Sequence, residues 1–397
     1  MQPGAVRPYA SDLAATWPID ERRWLSRAAT VVVADVSGFT RLSERLGVIG
    51  PDGTEAVKDI INSVFEPCIA HVLRAGGDVL EFAGDGIVAS FEGDDHPERG
   101  ARAAAAMQRT VRELATFSTP VGRVRRRMTV GAETGDLTSL VLGDSAQDRR
   151  DVVSIGAVLD RAFDLDSAAT PGQVRVGEQL VAALPSSWSR RVPDGGRRLH
   201  IPAVPGAVGR AHRRSDADER TRQFHDPAVV DVVERGRSPA EHRTVGAAFV
   251  VIDGIRQQHD VGSDLVADRL NGLSASVAAA CREHDVCWLE SDSEHGRIRL
   301  LLTVGAPVRR ENDAERLVDA VRTIADRHEV RVGVAQGRAF VGDVGHQARR
   351  TYNEMGSTVN LAARLAAAAD PGMVLLTADV ARLVSRRFET EPVPALM

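Results

Sequence analysis

The chain has 397 residues, 43% of them hydrophobic and 26% charged, which is the composition of a soluble globular protein with room for two or three domains. A formal net charge of −5 argues against a nucleic-acid-binding surface, and the first 24 residues lack the apolar core of a signal peptide. No later run reads as a membrane span, and three cysteines in no zinc spacing (Cys68, Cys281, Cys287) read as reduced thiols of a cytoplasmic protein.

Residues 1–28 read as a polar lead-in with a short helical piece around 21–27. The run TVVVADV (30–36) reads as a buried strand ending in an acid, with a Ser37-Gly38 turn and a helix after it. Residues 54–73 read as an amphipathic helix. DVLEF (78–82) and IVASF (87–91) form a hairpin with Asp85 at its tip, and 96–117 is an Ala-rich helix. Strands at 126–133 and 137–142, a helix at 156–169 and a strand closing at 176 complete the first unit. Residues 190–243, rich in Arg, Gly, Pro, Asp and His, read as a linker or arm.

The same order then returns: strand 247–253, helix 264–284, a hairpin of 285–293 and 297–305 with Asp292 near its tip, helix 313–327, and strands at 329–337 and 338–345. Helix 356–369 and DPGMVLLT close the second unit. IGAVLDRAFDLDSAATPGQV (155–174) aligns without a gap on MGSTVNLAARLAAAADPGMV (355–374), Gly156 on Gly356 and Pro171 on Pro371, both 200 residues apart. The chain therefore reads as two copies of one α+β, βαββαβ-type domain: 29–189 and 244–397, joined by 190–243.

Two groups of residues invite chemistry. Asp35 ends a strand and Asp85 tips a hairpin. If those strands are neighbours, the two carboxylates and the Val36 carbonyl suit Mg²⁺ or Mn²⁺ carrying a nucleoside triphosphate. The backbone N–H groups of Ser37, Gly38, Phe39 and Thr40 open a helix there, a cradle for phosphate. Each acid alone would more often be a cap or a turn residue. In YNEMGSTVNLAARL (352–365), Asn360 and Arg364 lie one helical turn apart and offer donors to a phosphate. Taken alone, that stretch reads as an ordinary amphipathic helix.

The motifs ADVSGFTRLSERL, GGDVLEFAGD and GHQARRTYNEMGSTVNLAARL resemble those of class III adenylate and guanylate cyclases, and the tandem resembles the bicarbonate-responsive soluble type and its bacterial relatives. The resemblance implies two ferredoxin-like cyclase domains packed head to tail, with nucleotide sites at their interface and two metal ions. It implies that Asp35 and Asp85 hold the metals, that Asn360 orients the ribose, and that Arg364 steadies the phosphate in the transition state. The family's adenine-reading Lys aligns with Trp288 and its partner with Asn353. Trp288 reads equally as a base-stacking ring and as a core aromatic.

The opposite site carries Asp160 and Asp164 in place of Asn360 and Arg364, keeps Asp253 and Asp292 near the metal positions, and has Glu81 where the regulatory Lys would stand. One complete site and one degenerate site are therefore expected. Lys58 is the only lysine, so no other lysine supplies the family's contacts. The chain stops where the pyrophosphate-binding Lys would follow, which implies either further C-terminal sequence or a site that does without it. The function expected is conversion of ATP to 3′,5′-cyclic AMP at a site one chain can build. The alternatives are a cyclase specific for GTP and a nucleotide-binding sensor of low or no activity.

Overall fold

The computed structural model describes residues 5–18, 23–36, 38–114, 116–125, 127–143, 149–201, 218–236 and 240–394. In the first domain, β1 (Trp24–Val36) lies between β3 (Gly86–Glu92) and β6 (Met128–Leu142), antiparallel to both. β2 (Asp78–Ala83) is at one edge, β7 (Asp151–Ile155) pairs with the outer half of β6, and β8 (Val174–Val176) runs parallel to its inner half. A separate hairpin, β4 (Thr116–Thr119) and β5 (Gly122–Arg125), stands off the sheet, while β9 (Ser189–Arg191) and β10 (Arg197–Leu199) extend it. The second domain repeats the plan. β11 (Glu241–Ile252) lies between β13 (Arg297–Val304) and β14 (Arg331–His346), with β12 (Cys287–Glu294) at one edge, β15 (Arg349–Met355) at the other, and β16 (Val374–Leu376) parallel to β14.

Several expectations change on contact with this sheet. Residues 24–27 are the start of β1 and not a helix, because Trp24 to Arg27 pair with Leu140 to Leu137. The paired strands expected at 126–142 and at 329–345 are each one continuous strand. The stretch expected as a linker adds β9 and β10 to the first sheet and the helix Pro227–Glu234 to the second domain's apolar cluster. Its residues 202–217 and 237–239 lie outside the described residues.

The two domains share their interiors. Leu140, Leu142, Val153 and Ile155 of the first domain are buried in the core of the second, and Phe340, Val344 and Met355 of the second are buried in the core of the first. Each long strand thus builds its own sheet with one half and packs the partner with the other. The polar contacts repeat the exchange: Gly345 N–H donates to Asn62 Oδ1 at 2.9 Å, and Gly143 N–H donates to Ser274 Oγ at 2.9 Å. This is the head-to-tail pseudo-dimer.

Candidate active site and its degenerate counterpart

Asp35 is the last acid of β1, opposite Gly86 on one side and Thr129 on the other. Val36 N–H donates to the Asp85 carbonyl at 3.2 Å, which closes the β2–β3 turn against the end of β1. Burial, then the neighbouring Asp85, then Asp166 push the Asp35 carboxyl up to about 7. A buried carboxyl raised by two neighbouring acids is an electrostatic liability that a divalent cation would remove, and carboxylate and carbonyl oxygens are the donors Mg²⁺ or Mn²⁺ takes. Gly86 is a close approach: a Cβ there would sit 3.3 Å from the carbonyls of Ala34 and Ala83 and 3.7 Å from Asp35 Oδ1. Among the described residues, no group of three or more side chains forms a closed metal cage, so two acids, a carbonyl and substrate oxygens would have to complete the shell.

Gly38 takes the left-handed conformation at φ 80° and caps the helix Phe39–Gly47, whose first turn begins with Phe39 and Thr40. Ser37, and the side chains of Phe39 and Thr40, lie outside the described residues. Across the interface, Asn353 is fully buried on β15, and its Nδ2 donates to the Gly84 carbonyl at 3.3 Å, next to Asp85. Asn353 Oδ1 is buried with no hydrogen-bond partner. Asn360 and Arg364 are exposed on the helix Ser357–Ala368, and Arg364 has no ion-pair partner among the described residues.

Trp288 does not join them. It is 1% exposed, its Nε1 donates to Ser291 Oγ at 3.0 Å, and the Arg149 guanidinium lies 5.0 Å over its ring. The base-stacking reading is therefore replaced by the core one. The bulges explain the misplacement: the register slips between Val79 and Glu81 in the first domain, and between Trp288 and Glu290 in the second. Trp288 matches Val79, and Glu290 matches Glu81. Glu290 is half-buried, and its carboxyl is pushed up to about 8 by burial and by Asp292, Asp151 and Glu354.

Register also corrects the degenerate site. The left-handed Gly38 and Gly254 mark equivalent points, so Asp253 stands in the place of Ser37, and Val251 in the place of Asp35. Val251 pairs with Arg299 and Arg331, where Asp35 pairs with Gly86 and Thr129. The hairpin turns at His295–Gly296, so Asp292 is not at its tip. It lies opposite Arg299, which holds it with two contacts of 2.6 and 3.1 Å. Asp253 is paired with Arg297 at 3.0 Å and with Arg331 at 2.5 Å. From the first domain, Asp160 accepts from Gly296 N–H at 2.9 Å and pairs with Arg256, and Asp164 lies 3.5 Å from His295. Glu81 is fully enclosed near Asp292, Arg299 and Asp151, with the Ser293 amide turned toward it, and burial holds its carboxyl well above the usual range. Guanidinium groups thus fill the space that cations and a triphosphate would need.

Sequence reasoning missed Asp166. Its carboxyl is pushed up to about 6 by burial, accepts from Thr129, and adds a third negative group behind Asp35. The gapless alignment carried the signal, since Asp166 faces Ala366 in the second copy.

Residues 240–395 match the model of the adenylate and guanylate cyclase catalytic domain. The second domain belongs to the class III nucleotidyl cyclase family. The fold of the whole chain is similar to a class III adenylyl cyclase-like ATP-binding protein from Pseudomonas aeruginosa, with a TM-score of 0.61 at 11% identity, covering 91% of this chain and 85% of that one. An uncharacterized protein of Mycobacterium tuberculosis is 32% identical over 161 residues, which are 37% of this chain and 28% of that relative. The chain therefore spans under a third of that relative's length. No helix among its described residues is long and apolar enough to cross a membrane.

Proposed function

We propose that the chain converts ATP to 3′,5′-cyclic AMP and pyrophosphate at one site between its two cyclase-type domains. The observation that carries this reading is the contrast at one register position. Asp35, with Asp85 beside it, stands opposite Gly86 and Thr129, whereas the equivalent place in the second domain is Val251 between two arginines. A buried Asp35 carboxyl raised by the neighbouring Asp85, with no arginine opposite it in the sheet, fits a cation-carrying phosphate substrate better than it fits stability.

In this reading Asp35, Asp85 and the Val36 carbonyl would hold two divalent ions, which would supply charge neutralisation at the phosphates and a more acidic ribose hydroxyl. The helix opening at Gly38 presents N–H groups to the triphosphate. The two-fold relation of the domains supports the rest of the site. Asp160 reaches the hairpin turn at Gly296, so its counterpart Asn360 faces the turn at Gly84–Asp85. There Asn360 orients the ribose. Its 3′-oxygen bonds to the α-phosphorus as the bond to the pyrophosphate oxygen breaks, and the hydroxyl proton leaves to solvent. Arg364 donates to the phosphate oxygens as charge builds on them.

Asn353 Oδ1, buried and without a partner, is an acceptor suited to a purine amine. Glu290 supports a second reading. An acid where the family's adenine-reading Lys is expected would, once ionised, accept from the two donors on guanine's edge, so GTP is the rival substrate. Incubation with ATP, GTP, CTP and UTP in Mg²⁺ or Mn²⁺, with products identified by mass spectrometry, decides among these. Cyclic AMP is expected, and Asp35→Ala and Arg364→Ala should each abolish it. Nucleotide binding with no cyclic product under any condition would leave a sensor in place of an enzyme.

A further inference from the structure

The degenerate site is held shut by contacts that cross the domain interface, two of them from the residues in the places of Asn360 and Arg364. Asp160, in the place of Asn360, is 4% exposed and is engaged by two groups of the second domain: the Gly296 amide at 2.9 Å and the Arg256 guanidinium. Asp164, in the place of Arg364, lies 3.5 Å from His295, and Phe163 packs on the same ring at 6.0 Å. Ser293 Oγ donates to the Ser154 carbonyl, again across the interface. Arg256 sits in the first turn of the helix Ile255–Val261, the element equivalent to the phosphate cradle of the first domain. At the other site, a nucleotide would bridge cradle, hairpin turn and helix. Here Asp160 and Arg256 make that bridge with the chain's own side chains.

We infer that Asp160 and Arg256 are positioning residues: a permanent ionic latch in the degenerate site that fixes the two domains in the relative placement the other site requires. A buried carboxylate with one guanidinium and one amide donor is a directional tie that a small hydrophobic contact would not provide. The latch also occupies the space an anionic regulator or second nucleotide would need. The inference rests on the proposed reaction only for its effect on turnover.

The test uses the full chain with spin labels at Glu113→Cys and Asp326→Cys, exposed positions in different domains, since the native cysteines are buried. Interdomain distances are read by pulsed EPR. The otherwise unaltered protein should give one narrow distribution that nucleotide does not shift. Asp160→Asn retains an acceptor for Gly296 but loses the charge, and Arg256→Gln removes the guanidinium from a half-exposed site that tolerates change. Both should broaden the distribution. Both should also lower turnover about tenfold, with the double variant falling no further than the weaker single one, as expected of two residues acting through one contact. The Mn²⁺ concentration for half-maximal turnover should stay unchanged, because the metal half is untouched. Distributions as narrow as the parent's in both single variants would overturn the latch. If the parent makes no cyclic product, the distances still decide this inference while the proposed reaction fails separately.

Discussion

The carboxyls of buried Glu354 and half-buried Glu290 are both pushed up to about 8, chiefly by burial. Glu354 accepts from Thr303 Oγ1 at 2.8 Å, a bond that serves either protonation state. Above the ordinary glutamate range near 4.5, the unfolded chain releases these protons while the folded chain keeps them. Their contribution is therefore fully present below about 4.5 and is lost as the pH rises through 8. His225 has the opposite sign, because burial and the nearby Arg149 and Arg349 lower it to about 3. Its destabilising effect begins only as the pH falls below 6.5, so the window from 6.5 to 8 belongs to the acids. The melting temperature should fall across that window, and Glu354→Gln, which keeps the Thr303 bond, should flatten the fall. A melting temperature that rises with pH would contradict this assignment. At the candidate metal site, Gly86→Arg installs what the second domain carries as Arg299. Calorimetric Mn²⁺ binding should be lost while the circular dichroism spectrum stays unchanged.

At the scale of elements, two arginines 200 residues apart tie the domains together. Arg349 donates to the carbonyls of Val79 at 2.9 Å, Leu80 at 3.2 Å and Tyr9 at 2.7 Å, and Arg149 donates to those of Trp288 and Phe224. Each reaches the bulged edge strand of the other domain. Arg349→Ala would strand several buried carbonyls, at a cost of roughly 2–4 kcal/mol in urea unfolding. Arg349→Lys should recover only part of that, since one ammonium cannot replace a planar fork. The helices, the two hairpins and the helix bearing Asn360 and Arg364 were legible because each has its own period and turn residues. The bulges were not. A slip between Val79 and Glu81, or between Trp288 and Glu290, leaves no mark in composition, and it decides that Glu290 and not Trp288 stands in the place of Glu81.

For the whole molecule, both halves of the proposed site lie in one chain whose domains share interiors, so the proposal needs only a single polypeptide. Turnover per molecule should therefore be independent of dilution from micromolar to nanomolar protein. A loss on dilution that tracks a shift from dimer to monomer by light scattering would show that a second chain is needed.

The sequence by itself determined the tandem repeat, the α+β plan and the candidates Asp35, Asp85, Asn360 and Arg364, because those depend on local spacing and on strand and helix periods. Only the tertiary structure decided that Trp288 is core, that Val251 and not Asp253 stands in the place of Asp35, and that Asp160 and Asp164 turn to the other domain. The physical reason is register. The copies align without a gap at Gly156 and Gly356, but the equivalent glycines Gly38 and Gly254 are 216 residues apart (254 − 38) and the bulged acids Glu81 and Glu290 are 209 apart (290 − 81). Those shifts are set by strand pairing, which long-range hydrogen bonds fix and no local pattern encodes.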